Sequence, residues 1–358
     1  MTRGVLFAGG GTGGPVTPLL AVASQMLQTD ATIHPVWAGT DTGPERELVE
    51  PYGFPYFAIP IAKLPRYLSM QLITAPFDYL RARRTARDIM KTIRPRVVIS
   101  AGGFTAVPVV HAANAFGIPC ISHQLDCVPG LSNRLIARQS RFVTTSFEYS
   151  DRPFGRGVES HAIPTPTRFG RSDLPTREEA CAFFHLNPAR PVLFVTGGGT
   201  GAIALNRAIE ALAEDLLTDM QIIHLTGKGK NSHFSVQQDG YVRSDFFTSE
   251  MMTAYAAADL VVSRAGIGAI AELAACAKPV ILVPLPDSPQ EANARALEDA
   301  VRVIEQEGKR AWIDFLGFTI RDLMANDDDR RQLGESLYDA FPTDRGETLA
   351  DIAFRLMK

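Results

Sequence analysis

One opening occurs twice in this chain. Val5-Leu6-Phe7-Ala8 runs into Gly9-Gly10-Gly11-Thr12-Gly13-Gly14, and Val192-Leu193-Phe194-Val195-Thr196 runs into GGGTGA at 197–202. A helical pattern follows each loop, PLLAVASQM after the first and ALNRAIEAL after the second. An apolar strand, a glycine turn and a helix make the first half of a βαβ unit. Because the strands and helices match as well as the loops, the repeat predicts two similar doubly wound domains in tandem. At 358 residues the chain has room for both, at about 150 residues per domain.

The remaining apolar runs fit that plan. In the first half, strands are expected at 35–38, 97–100, 118–122 and 141–146, the second of these glycine-turned at Ala101-Gly102-Gly103-Phe104. A dinucleotide site would need an acid at the end of the second strand; Ala38-Gly39-Thr40 stands there instead. Residues 151–177, rich in Pro, Gly, Arg and Thr, read as an interdomain linker. The expected domains are therefore 1–160 and 161–342, with a helical tail at 343–358 packing back on the first.

The most informative stretch is 255–293. A strand at 260–262 breaks at Arg264-Ala265-Gly266-Ile267-Gly268, an alanine-rich helix carries Glu272, and a strand follows at 279–283. Glycines let main-chain N–H groups at a helix start approach an anion, and the helix dipole favours a phosphate there. Glu272, a turn and a half further on, is placed to accept two hydrogen bonds from a ribose diol. Gln290 and Asn293 bring amides to the strand-end crevice where open α/β sheets bind ligands. The pattern suits a nucleotide-diphosphate pocket with polar groups to spare for a sugar; an ordinary buried βαβ unit with a capping arginine is the alternative.

Composition limits the rest. A net charge of −3 gives no general attraction to nucleic acid. Cys120, Cys127, Cys181 and Cys276 lack metal-ligand or disulfide-framework spacing. The N-terminus is too glycine-rich for a signal peptide, and nothing approaches the ~18 apolar residues of a membrane span. Between 61 and 96, however, nine Lys and Arg residues face only Asp78 and Asp88 and are interleaved with Leu, Ile, Phe, Tyr and Met. That mixture suits an anionic membrane surface, or equally a solvated helix whose Arg stems cover core.

Taken in order, GGGTGGPVTPLLAVA (9–23), SAGGFTAVPVV (100–110), HQLDCVPGLSNRLIA (123–137), GGGTGAIALN (197–206), HLTGKGK (224–230), FTSEMMTAYAAADLVVSRAGIGAIAE (247–272) and PVILVPLPDSPQEANARAL (279–297) resemble glycosyltransferase family 28 over nearly the whole chain. The resemblance implies an α/β GT-B fold: two Rossmann-like doubly wound domains with an interdomain cleft. It implies an inverting transfer of N-acetylglucosamine from UDP-N-acetylglucosamine to an undecaprenyl-linked acceptor, without a metal or other cofactor. The protein would act in the cytoplasm, peripherally on the inner face of the cell membrane. On the donor, Phe247 and Thr248 would meet the uracil, and Arg264 with Ile267, Gly268, Ala269, Ile270, Ala271 and Glu272 would hold diphosphate and ribose. Gln290 and Asn293 would face the sugar, with Arg168 and Gly199 nearby. Thr12, Gly13 and Gly14 would border the donor sugar or the acceptor pyrophosphate, and Gly102, Gly103 and Asn133 would serve the acceptor.

The chain departs from the family pattern where chemistry is expected. Pro15 replaces a His of the first loop, Gln124 replaces a Glu after His123, and Gly199-Thr200 replaces Ser-Gln. Ala269 stands for a Thr, Pro164-Thr165 for Gly-Asn, and Pro289 beside Gln290 for the other member of an amide pair. A base for the attacking hydroxyl is then left to Asp126 or His123. The same departures keep open a related enzyme with another lipid or small-molecule acceptor, or a non-catalytic UDP-sugar binder.

Overall fold

The structure, a computed structural model, describes residues 3–10, 14–41, 43, 45–61, 70–149, 151–198, 202–230, 238–308 and 310–358, apart from the side chains of 70–74. Thr12, Gly13, Gly199 and residues 62–69 of the basic segment therefore lie outside the described residues. The chain divides into two compact units, residues 1–168 with 345–358, and residues 169–344.

The first unit runs β1 (Arg3–Ala8), α1 (Val16–Thr29), β2 (Ile33–Gly39), α2 (Glu45–Val49), β3 (Tyr56–Ala58), α3 (Met70–Ile93), β4 (Val97–Ser100), α4 (Ala106–Ala115), β5 (Cys120–Gln124), α5 (Leu131–Ala137), β6 (Phe142–Thr145) and β7 (Ser160–Ala162). Its sheet has the order β3-β2-β1-β4-β5-β6-β7, with every neighbouring pair parallel. The second unit runs α6 (Arg177–Phe183), β8 (Val192–Thr196), α7 (Ile203–Asp219), β9 (Gln221–Leu225), β10 (Tyr241–Ser244), α8 (Glu250–Ala257), β11 (Leu260–Ser263), α9 (Ile267–Ala275), β12 (Val280–Leu282), α10 (Pro289–Arg295), β13 (Arg302–Val303), α11 (Ala311–Met324) and α12 (Asp327–Ala340). It repeats the plan as β10-β9-β8-β11-β12-β13, again all parallel.

Helices on both faces bury the central strands completely, which is why β1, β4, β8 and β11 read as unbroken apolar runs. In each unit the strand order reverses beside the first strand, between β1 and β4 and between β8 and β11. These are the switch points at which such sheets leave room for a ligand.

The last helix, α13 (Leu349–Leu356), returns to the first unit. Thr348 caps it and accepts from Gln25 Nε2 of α1 at 3.3 Å, while Arg96, ahead of β4, donates to the Met357 carbonyl at 3.3 Å.

Two expectations change. Residues 151–177 are only partly a connector, because they contain β7, the last strand of the first sheet, and the start of α6. The strands the apolar pattern did not reveal are β3, β7, β10 and β13, and these are the four sheet edges. An edge strand has one paired flank and less apolar cover, so its sequence carries little of the buried-strand signature.

Tight backbone approach at the first switch point generates a prediction. Gly103 has φ +93°, and a Cβ there would stand 2.7 Å from the Gly10 carbonyl oxygen. Gly117 has φ +69° with open space around it. In urea titrations Gly117→Ala should cost about 1 kcal/mol, and Gly103→Ala about 3 kcal/mol, because strain and displacement of Gly10 add.

Candidate active site

At the carboxyl end of β1 the chain reaches Gly9 and Gly10. The Trp37 indole donates to the Gly9 carbonyl at 3.2 Å and fixes the start of the loop. Gly10 is then wedged between Gly103 on one side and the carboxylate of Glu45 on the other, with no room for a side chain. Glu45 is fully buried at the start of α2; it accepts from the Thr40 amide at 2.6 Å and from the Thr40 hydroxyl. Tyr56 donates to the Thr40 carbonyl at 2.6 Å. Burial, and then the Glu45 charge, push the Tyr56 phenol well above its usual range. Gly14 lies in the exposed turn before α1.

Across the switch point, Gly102 has φ +94° and donates to Ser100 Oγ at 3.0 Å. Its α-carbon lies against the Asn133 amide of α5. Asn133 Nδ2 donates to Gln124 Oε1, and Gln124 Nε2 donates to the Asp126 carbonyl at 2.7 Å, which also receives the Tyr149 hydroxyl at 3.0 Å. This run of bonds joins Gly102 to the loop carrying Asp126. It also gives the physical reason for an amide at 124: the contact to Asp126 needs a donor, which a carboxylate lacks. A narrow crevice lies here, lined by Gly102, Ser122, His123, Gln124, Asn133, Ile136 and Phe154.

Asp126 is half-buried beside the crevice, whereas His123 is sealed. Its Nδ1 bonds Thr144 Oγ1 at 3.0 Å and its Nε2 bonds Ser146 Oγ at 3.3 Å. Burial lowers its pKa to about 4. Both ring nitrogens are used, so His123 ties β5 to β6 and the following loop and has no lone pair to offer a substrate; it is withdrawn as a candidate base.

In the second unit, Arg264 ends β11 and is also turned inward. Its Nη1 donates to the Val283 and Pro284 carbonyls at 2.8 and 2.9 Å, and burial lowers its pKa to about 10, leaving it charged at neutral pH. Asn293 is fully buried and donates to the Ala265 carbonyl at 3.0 Å. Through these atoms both residues brace the Arg264–Gly266 turn.

From that turn α9 starts without a side-chain cap. The Ala269 and Ile270 amides take the Gly266 carbonyl at 3.1 and 3.0 Å, which leaves the Ile267 and Gly268 amides as the helix-start donors. Open space surrounds Gly266 where a side chain would stand. Ile267, Ile270 and Ala271 bury their side chains in the core, so these three and Gly268 can meet a ligand only through main chain, while Ala269 is half-buried. Glu272 is buried, and the Tyr255 hydroxyl approaches its carboxylate at 3.4 Å.

The other predicted donor residues have partners of their own or lie in the connecting chain. The Gln290 side chain accepts from the Leu285 amide at 3.0 Å. Phe247 is buried against Phe184, ring centroids 5.4 Å apart. Thr248 gives its amide to Glu250 at 2.9 Å, so that N–H is unavailable to a base. Arg168 is half-buried in the chain just before Phe169, whose ring packs 5.9 Å from Tyr255. On β9, His224 is buried between Tyr241 (2.9 Å) and Asn206 (3.2 Å), and Asn206 anchors the Thr226 carbonyl at 2.7 Å. Burial, reinforced by Arg243, lowers the His224 pKa to about 3.

Three residues at these sites were missed from sequence. Thr105, at the start of α4, is fully buried with a hydroxyl that has no partner among the described residues. Ser122 Oγ, on the crevice wall, is likewise buried without one. A threonine straight after a glycine turn and before a helix is a readable capping signal. Glu45 has no such signature, since its partner Thr40 ends a different element.

Two parallel doubly wound units, each with a glycine turn feeding a helix at its switch point, define the GT-B fold. Residues 5–145 match the glycosyltransferase family 28 N-terminal domain and residues 192–337 the glycosyltransferase family 28 C-terminal domain. The chain belongs to glycosyltransferase family 28. It is 37% identical, over 98% of both chains, to the UDP-N-acetylglucosamine–N-acetylmuramyl-(pentapeptide) pyrophosphoryl-undecaprenol N-acetylglucosamine transferase of a Nocardioides species. It is 39% identical, over 78% of both chains, to the same-named protein of Lachnoclostridium phytofermentans. The crystal structure of Acinetobacter baumannii MurG superposes with a TM-score of 0.67 at 25% identity, covering 95% of each chain.

The buried histidines make stability depend on pH. Each stays neutral in the folded chain below the ordinary histidine pKa near 6.5, so the unfolded chain binds more protons as pH falls. Stability is fully present above about pH 6.5 and should fall toward pH 4, where His123 titrates in the folded state, with His224 following near 3. Urea midpoints measured from pH 8 to 5 should decline, and His224→Gln should flatten the decline between 6.5 and 5.

Proposed function

We propose that this chain transfers N-acetylglucosamine, with inversion, from UDP-N-acetylglucosamine to the MurNAc 4-hydroxyl of undecaprenyl-pyrophosphoryl-MurNAc-pentapeptide, a step of peptidoglycan synthesis. The observation that carries the reading is the full-length likeness to the Nocardioides transferase. The geometry of each unit supports its half of the reaction. In the second unit, the Ile267 and Gly268 amides at the start of α9 meet the donor diphosphate, and Glu272 meets the ribose diol. In the first unit, the start of α4, with the left-handed turn at Gly102–Gly103 and the Thr105 hydroxyl, meets the acceptor pyrophosphate.

In the reaction the acceptor hydroxyl oxygen attacks the anomeric carbon from the face opposite UDP. The bond from that carbon to the UDP oxygen breaks, and the electron pair leaves with UDP. The hydroxyl proton passes to Asp126, half-buried in the loop after β5. Charge growing on UDP is met by the amides and dipole of α9, donors fixed before the reaction begins. This assignment uses protein groups alone, and transfer should persist in EDTA.

Three measurements test the reading. Asp126→Asn should lower kcat by about 10²–10⁴ while leaving UDP affinity unchanged. Glu272→Ala should weaken UDP-N-acetylglucosamine binding about tenfold, the loss of a charge-assisted pair of bonds. Purified protein that releases no UDP from this donor with the lipid-linked acceptor would refute the proposal outright.

We place the enzyme peripherally on the cytoplasmic face of the membrane. Among the described residues no helix is long and apolar enough to cross a bilayer. On α3, Phe77 is 73% and Leu80 51% exposed, and Arg81, Arg84, Arg87 and Lys91 share the exposed side, while Ala82, Ala86, Ile89 and Met90 face the core. A helix that merely covers core with Arg stems would not also expose a phenylalanine and a leucine. Phe77→Ser with Leu80→Ser should reduce pelleting with anionic vesicles severalfold and leave UDP release from a soluble acceptor unchanged.

A further inference from the structure

The main-chain carbonyl of Asp126 is held from two directions. Gln124 Nε2, at the end of β5, donates to it at 2.7 Å, and the Tyr149 hydroxyl, from the segment after β6, donates at 3.0 Å. A carbonyl oxygen has two lone pairs, and here both are used. Because a peptide unit is planar, holding its oxygen sets the plane that joins Asp126 to Cys127, and with it the ψ angle of Asp126. Leu125, buried, seats the residue before. Tyr149 is itself anchored. Its ring meets Phe154 edge-on, with centroids 6.0 Å apart and planes at 74°, and packs on the small cluster of Ala137, Val143 and Phe154. Burial first, then Cys127, Asp126 and Asp151 nearby, push its phenol above the usual range, so it stays protonated and a donor at neutral pH.

We propose that Tyr149 is a positioning residue for the transfer, its hydroxyl fixing the Asp126 main chain so that the carboxylate meets the attacking hydroxyl of the acceptor. The inference rests on Asp126 as the base proposed above. Ring and hydroxyl have separate tasks. Packing on Phe154 needs only the ring, which phenylalanine supplies equally, whereas the hydroxyl goes to the loop that carries the base. A general base has to stand within about 2.6–3.2 Å of the proton it takes, and a misplacement of about 1 Å can cost up to ~10²-fold in rate. A loop residue whose carbonyl is bound only once keeps freedom of that size about its own ψ. The second donor removes it, from a strand other than the one that bears Asp126.

The test is a double-mutant cycle on the full chain, assayed by UDP release with the lipid-linked acceptor. Tyr149→Phe should lower kcat about tenfold and leave KM for donor and acceptor unchanged. In an Asp126→Asn background the same change should cost nothing further, because a residue that acts through Asp126 has nothing left to position. Gln124→Met, which removes the other donor, should show the same pattern. An unchanged kcat in Tyr149→Phe, a rise in KM alone, or an equal loss in the Asp126→Asn background would overturn the inference, the last by leaving Tyr149 a packing role only. Should Asp126→Asn itself keep full kcat, the assignment of the base falls and takes this inference with it.

Discussion

A parallel sheet buried on both faces leaves its chemistry only one place to go, the loops at the carboxyl ends of its strands. In this protein that constraint is tightened by close backbone packing. Gly10 is held between the Gly103 turn and the buried Glu45 carboxylate, and neither neighbour tolerates a side chain in between. Glu45 in turn is held by Thr40 at the end of β2. The ends of β1, β2 and β4 are therefore set by one small group of contacts, and the position of the α4 helix start follows from it. A carboxylate against Gly10 also gives the two sides of the switch point opposite electrostatic character. The β1 side carries a buried acid, whereas the α4 side carries a helix dipole, two left-handed glycines and a hydroxyl with no partner among the described residues.

The second unit reaches a similar end with different side chains. Its turn is braced by a cation and an amide, Arg264 across to the carbonyls after β12 and Asn293 to Ala265. Burying a guanidinium is costly unless its hydrogen bonds are met, and here the carbonyl ends of a parallel strand meet them. The result is a braced turn that runs straight into the uncapped start of α9. In both units, then, buried polar side chains fix the loop and the backbone at the helix start offers the donors. That division of labour suits a substrate carrying phosphates, since main-chain amides bind them with no side-chain rotamer to freeze.

Much of the architecture was legible because burial on both faces forces a strong signal into a sequence. Each interior strand announced itself as an apolar run, and the repeated glycine loops gave the two units. The edge strands β3, β7, β10 and β13 gave no such signal, which let β7 pass as linker. Within the sites, residue type was legible but destination was not. His123, Arg264 and Asn293 are residues that bind substrates, and they are equally residues that satisfy buried backbone. Sequence cannot show where a side chain's hydrogen bonds end. Glu45 was hidden for the converse reason, its role created by strand ends brought together in space.

The departures from the family pattern acquire a physical sense in this light. Gln124 is bound as acceptor to Asn133 and as donor to the Asp126 carbonyl, two contacts that only an amide makes together. The loop it secures is the one that carries Asp126. Exchanging an acid for an amide at 124 therefore removes one carboxylate from the crevice and, by the same bond, fixes the position of another. Pro15 supplies no proton acceptor and His123 is sealed between two hydroxyls, so the proposed transfer draws on Asp126, in the loop that Gln124 secures.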